Sequence, residues 1–401
     1  MKLTCVYPVI LCAVVLMDVG CGGNSPPGSS AQAACVASAT PEFAYVLTGY
    51  AVSMFTVDSC TGQFNATTPA SVPTGYSSSA NDNSEQMVAD PLGRFAYVAN
   101  LVSNVSGPSS ISMYTINPAT GVLTPTTPAT VSTGWLPQGI AIDPLGRFVY
   151  TANTDDSTVS MFTINQTTGV LTPTTPAFVS TMLPGELLSQ PGFLTVDPTG
   201  HFLYVSSTDS VGATVSMYAI NQTTGLLTPT TPATVTTDGI PFQVTVAPSD
   251  KFAYVVNNFT GSGGSDAVTQ FTVDPTTGVL TENPSGAVSA GNQPTAIAVD
   301  PTSSYAYVVN RQDNTVSMFT IDASSGSLIL NKTAASPTGT VATGTMPFRI
   351  DFDPSGKFVY VTNEESDDSI YTVNSDGTLS SVGMTGVTTG GLSTAFTAER
   401  Q

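Results

Sequence analysis

One segment of this chain recurs seven times, at a spacing of 50 to 54 residues. Its fullest form is Asp-Pro-x-Gly-Arg-Phe-x-Tyr, read from Asp90 and Asp143, and from Asp197 with His201 in the basic slot. Variants begin at Ala247, Asp300 and Asp353, and the aromatic-x-Tyr kernel completes the count: Phe43/Tyr45, Phe95/Tyr97, Phe148/Tyr150, Phe202/Tyr204, Phe252/Tyr254, Tyr305/Tyr307 and Phe358/Tyr360. A fixed period of this length means that each repeat is one supersecondary unit. Such a unit cannot bury its own faces and must stack on the next.

Each kernel is followed by a strand of period-two alternation, typified by Ser160-Met161-Phe162-Thr163-Ile164-Asn165. A turn ending in glycine comes next: Gly62, Gly121, Gly169, Gly225, Gly278, Gly326 and Gly377. Glycine there supplies the positive φ of a tight hairpin. One more short apolar strand precedes each Asp-Pro, as in Gly139-Ile140-Ala141-Ile142. Four strands in about 52 residues are the signature of a propeller blade. The expected fold is all-β: a seven-bladed β-propeller of four-stranded antiparallel blades. The first repeat lacks its leading strand, and a surplus strand, Thr394-Ala395-Phe396-Thr397-Ala398-Glu399, follows the last. Its pattern matches Thr295 to Asp300, so the C-terminal strand is expected to complete blade one and close the ring. In that alignment Thr397 stands two residues before the Asp-Pro position and Ala395 four before.

The repeat resembles the YVTN repeat of lactonase-like propellers. Tyr360-Val361-Thr362-Asn363 is that tetrapeptide, and Tyr97-Val98-Ala99-Asn100 and Tyr307-Val308-Val309-Asn310 are close to it. The resemblance spans roughly residues 42–399. It implies a seven-bladed propeller and, for activity, a 6-phosphogluconolactonase-like hydrolysis of a sugar lactone.

The net charge is −19 with nine Lys and Arg, and charged residues make up 9%. Such a surface repels phosphate backbones, which excludes nucleic acid as a partner and steers anionic metabolites away. At the N-terminus Lys2 precedes an apolar run from Val6 to Met17, too short to span a bilayer. Gly20-Cys21-Gly22-Gly23 resembles the lipobox of bacterial lipoproteins, a plain secretory signal being the alternative. The expected organisation is a signal peptide over 1–20, a Gly/Ser/Pro-rich tether over 21–40 and the propeller over 41–401. Cys21 would carry the lipid and provide the one membrane contact of an exported, monomeric protein of the periplasm or cell surface. Export permits a disulfide, and Cys35 with Cys60 is the expected pair, pinning the start of blade one.

With strands A to D counted outward from the channel, the A–B turns and C–D hairpins share one face. The B–C loops and D–A connections share the other, which is variable and rich in acids. Its densest cluster, Glu364, Glu365, Asp367 and Asp368, could offer oxygen ligands to Ca²⁺; no other cofactor is expected. Near the channel only one blade carries charge, Arg349 and Asp351. Period two puts both on one side of a strand, either as a structural ion pair or as a grip on a ligand. Glu85, Gln86, Gln138 and Gln243 enter nearby, Arg311 lies on the same face, and Trp135 sits in a D–A connection. His201, the only histidine, lies on the opposite face, so no Ser-His-Asp set can form there. These residues point first to a non-enzymatic scaffold binding a protein, glycan or small molecule on the acidic face, and second to a lactonase-like hydrolase.

Overall fold

The aromatic-x-Tyr segments form the second strand of every blade because each alternates bulky apolar residues that both faces of a sheet can bury. In the computed structural model Tyr45, Tyr97, Tyr150, Tyr204, Tyr254 and Tyr307 are wholly inaccessible to solvent, and Tyr360 nearly so. The structure describes residues 41–48, 50–74, 83–101, 109–182, 185, 188–209, 212–258, 266–334, 336–386 and 394–397. All belong to one unit, residues 37–401. The signal, the tether, Cys21 and Cys35 lie outside the described residues.

Seven antiparallel sheets result, each running from an inner strand to an outer one. Blade three is representative: Pro137–Ile142, Phe148–Asn153, Thr158–Ile164 and Leu171–Ser180, in that spatial order. Blades five and six depart from four strands. Their outer strand is split into two short pieces, Leu280–Glu282 with Val288–Ser289 and Leu328–Leu330 with Thr340–Ala342.

The hydrophobic core is seven cores, one per gap between blades. Phe43, Tyr45 and Met54 of blade one pack on Met87, Val98 and Tyr114 of blade two. The same arrangement continues round to Ala44, Val46 and Phe55, which meet Phe358, Tyr360 and Ile370 of blade seven. Each kernel tyrosine also donates its hydroxyl across the gap to the carbonyl of the hairpin glycine in the next blade. Tyr45 reaches Gly121 at 2.9 Å, Tyr150 reaches Gly225 at 3.0 Å, and Tyr360 completes the circle at Gly62, 2.8 Å away. A buried phenol needs such a partner.

The glycines do more than turn the chain. Gly121 has φ +68°, and a Cβ on it would drive into the Phe43 ring of the preceding blade. The kernel aromatic and the hairpin glycine of the next repeat are therefore one contact, a coupling that the period alone does not reveal.

The C-terminal strand, Thr394–Thr397, pairs with Phe43 to Val46 as the inner strand of blade one. Its register corrects the sequence alignment by two residues. Ala395 opposes Tyr45, so Thr397 takes the place that Asp353 holds in blade seven. A shift of two leaves the inward and outward sides of a strand unchanged, which is why the residue pattern could not distinguish the two registers.

Candidate functional site

The channel is walled by the inner strands, and pairing register sorts their inward residues into levels. Opposite the kernel tyrosines stand Val88, Ala141, Thr195, Thr245, Ala298 and Asp351. Two residues earlier come Gln86, Gly139, Phe193, Gln243, Ala296 and Arg349. Most inner strands begin with a bulge, which sets one residue out of register: Glu85, Gln138, Phe242 and Phe348 occupy that position in blades two, three, five and seven. A bulge re-aims a side chain. Here it delivers two phenylalanines to the mouth of the channel.

Those rings meet across it. Phe193 of blade four lies 4.9 Å from Phe242, centroid to centroid, and Phe242 lies 5.5 Å edge-on from Phe348. The Arg349 guanidinium stacks 4.0 Å over Phe193 and 5.2 Å from Phe348, leaving the residue 6% exposed. An Arg349–Asp351 ion pair, one of the two arrangements expected, is not formed. Among the described residues the ion pairs are Arg94–Asp90, Arg147–Asp143 and Arg311–Glu364. Arginine is weakly hydrated and planar, and the aromatic faces opposite it satisfy it by cation–π attraction. Phe242 and Phe348 were not among the candidates read from the sequence. Their signal was a Pro-Phe pair at the same point of two repeats, Pro241-Phe242 and Pro347-Phe348.

Asp351 is left on the wall without that partner. Burial pushes its carboxyl up to about 7, and the positive charge of Arg349 works in the opposite direction. It keeps partial exposure to the narrow channel. On the side of blades two to five lies a cavity of about 240 Å³, with Gln86, Thr195, Gln243 and Thr245 as its polar wall and Phe193 as the wall shared with Arg349. Gln86 and Gln243 are partly committed. Their side-chain oxygens accept from Ile140 N at 3.1 Å and Ile297 N at 2.8 Å, linking each inner strand to the next. Their amide nitrogens remain the ends available to a ligand. Gln138 is half-buried at its bulge. Glu85 has a described backbone only.

The other candidates do not join the channel. Arg311 is held by both oxygens of Glu364, at 3.0 and 2.6 Å, tying the B–C loops of blades six and seven. That removes Arg311 as a free ligand grip. Asp368 is buried and accepts from Asn363 N at 3.1 Å, while Glu365 and Asp367 form no cluster with it. Among the described residues no three acidic, His or Cys side chains converge to hold a metal ion. Trp135 is exposed in its D–A connection, and its backbone N–H is bound by Asp156 at 2.6 Å. Cys60 is disulfide-bonded, and every other cysteine lies outside the described residues.

The family model "Lactonase, 7-bladed beta-propeller" matches residues 34–184 and 241–391, about three quarters of the chain. This chain belongs to the lactonase family of seven-bladed β-propellers. The gap in the match, residues 185–240, falls on blade four, which contributes Phe193 to the Arg349 stack. Solved structures of the same fold include a candidate 6-phosphogluconolactonase from Bacteroides fragilis (20% identity, TM-score 0.69, covering 89% of this chain and 98% of that one). A second candidate 6-phosphogluconolactonase, from Bacteroides uniformis, is 22% identical with TM-score 0.66, covering 85% and 95%. The periplasmic gluconolactonase PpgL of Pseudomonas aeruginosa is 18% identical with TM-score 0.64, covering 85% and 95%. No curated protein is a significant sequence match to this chain.

Proposed function

We propose that this propeller is a lactone hydrolase that takes an uncharged sugar lactone in the central channel. The observation that carries the reading is Asp351, a carboxyl on the channel wall whose pKa is raised to about 7, beside the channel's one cationic side chain at the described inward positions. A general base works best when its pKa lies near the operating pH. Asp351 takes a proton from water as the water oxygen bonds to the lactone carbonyl carbon. The ring C–O bond of the tetrahedral intermediate then breaks, and the same proton passes to the departing ring oxygen, giving the open hydroxy acid. The charge of Arg349 favours the oxyanion that forms on the way. Family membership supports this reading over the non-enzymatic scaffold that the composition first suggested.

Charge argues for an uncharged substrate. A phosphorylated sugar calls for several Arg or Lys, yet Arg311 is held by Glu364, while Arg94 and Arg147 are held by their own Asp90 and Asp143 on the opposite face. The test is hydrolysis of D-glucono-1,5-lactone against its 6-phosphate by the purified protein. Faster turnover of the neutral lactone is expected. Preference for the phosphate would overturn the substrate class, and hydrolysis of neither would overturn the activity.

The proposed setting is the bacterial periplasm or cell surface, with a lipid on Cys21, a monomeric propeller and a Cys35–Cys60 disulfide. The lipobox-like Gly20-Cys21-Gly22-Gly23 supports a membrane-bound form, so Cys21→Ser is expected to move the protein from the membrane to the soluble fraction. A wild-type protein recovered soluble and beginning elsewhere would rule the anchor out.

A further inference from the structure

We propose that a groove between blades two and three, distinct from the channel, binds a neutral oligosaccharide by stacking sugar rings on Trp135 and Phe178. The groove holds about 510 Å³ and shares no lining residue with the channel cavity. Trp135, 38% exposed, and Phe178, 60% exposed, flank it.

The repeats themselves provide the comparison. Phe178 lies in Pro176-Ala177-Phe178-Val179, opposite Ser160. The same register position holds Ser71 in blade one, Thr130 in blade two and Thr234 in blade four, each within the same Pro-Ala-x-Val frame. The surrounding stretches are nearly identical, so the blade geometry does not call for an aromatic there. Trp135 stands two residues before the proline that opens an inner strand. Gly239, Asn292 and Thr345 stand there in blades five, six and seven.

The backbone at Trp135 is held by a clamp that is indifferent to the side chain. Asp156 accepts Trp135 N at 2.6 Å; Asp313 accepts Asn292 N at 2.8 Å; Ser366 accepts Thr345 N at 2.9 Å. The only tryptophan of the chain and a phenylalanine in place of Ser or Thr thus depart from the repeat at two distant positions. They come together on one groove, and both remain in water. Folding gains little from either, whereas a ligand gains two apolar platforms.

The floor between them is hydroxylic. Thr133 Oγ1 lies 2.6 Å from Thr151 Oγ1 and 3.2 Å from Ser160 Oγ, and Asn153 donates to Thr158 at 3.0 Å and to Ser160 at 2.8 Å. Thr133 Oγ1 also lies 3.2 Å from Asn153 Oδ1 and is fully used, whereas Thr158 Oγ1 and Ser160 Oγ, which line the groove and accept these bonds, each keep an O–H to donate. Asp156 is exposed at the rim. Flat apolar faces beside fixed hydroxyls and a carboxylate acceptor match a pyranose, which has an apolar C–H face and a rim of O–H donors. The net charge of −19 selects against anionic polymers.

Trp135 makes the test direct, since all tryptophan emission comes from the groove. Cellohexaose, maltohexaose and chitohexaose are titrated separately into the purified protein. A saturable change in emission with at least one of them is expected. Phe178→Thr, which installs the residue of blades two and four, is expected to weaken that binding about tenfold with an unchanged melting temperature. No saturable change with any of the three sugars would overturn the proposal, as would full affinity in Phe178→Thr. Saturation by an apolar peptide and by none of the sugars would also overturn it, showing a protein-docking groove instead.

Discussion

Deletion of residues 391–401 is expected to abolish the cooperative unfolding transition of the whole propeller. The strand Thr394–Thr397 pairs with Phe43 to Val46, and these partners are between 0% and 4% exposed. Its removal strips ladder partners from a buried strand, at about 1–3 kcal/mol for each backbone group left unsatisfied. It also takes away the inner strand that meets Asn83–Ala89 on one side and Pro347–Phe352 on the other. The cores between blades one and two and between seven and one then open together. Several such losses equal the whole stability of a typical domain, about 5–15 kcal/mol. Thermal denaturation followed by near-ultraviolet circular dichroism checks this. A truncated chain with the full-length melting transition would show that the ring does not depend on its shared blade.

Asp351→Asn is expected to lower lactone hydrolysis by about 10²–10⁴-fold and, at pH 8, to make the protein more stable. The two effects share one cause. The folded carboxyl titrates at about 7, against an ordinary value of 3.8. Between these values the folded state holds a proton that the unfolded state has lost, so stability falls as pH rises from about 4 to about 7 and stays at its lower value above that. A shift of this size corresponds to roughly 4 kcal/mol. Asparagine carries no charge to desolvate and escapes the loss. The stabilisation should therefore be largest at pH 8 and vanish toward pH 4. Glu42, raised to about 8 by burial and by the nearby Asp353, adds a decline of the same sign, but it is present in both proteins and cancels in the comparison. In the wild type the rate should rise with pH through about 7, as the base loses its proton. Unchanged hydrolysis in Asp351→Asn would falsify its role as the base. Lost hydrolysis with reduced stability at pH 8 would make Asp351 a structural carboxylate.

The architecture was legible because a blade is a local object. Seven aromatic-x-Tyr kernels and seven hairpin glycines mark strands and turns within about 50 residues of chain, and the missing first strand with a surplus last one marks closure. The candidate site was legible only in part. Arg349 and Asp351 stood out as charges among small residues on the inner strands, a pattern that period two makes visible. Their relation to each other was not visible. As neighbours on one side of one strand they read either as an ion pair or as a grip on a ligand. The fold instead brings Phe193 from blade four and Phe348 from a bulge against the guanidinium, and leaves the carboxyl on the wall. The same holds for Arg311 and Glu364, 53 residues apart and paired only because equivalent loops of adjacent blades lie side by side.

Sequence by itself determined the class, the number of blades, the place of closure and which side of the regular part of each inner strand faces inward, since each depends on periodicity and on contacts within one repeat. The tertiary structure alone decided which inward residues touch. A channel joins side chains from blades far apart in the chain, and bulges of single residues set where they point. Trp135 and Phe178 carry the same lesson at the rim. Each looks like an isolated surface aromatic in the chain, and only the packing of blade two's outgoing connection against the outer strand of blade three sets them on one groove.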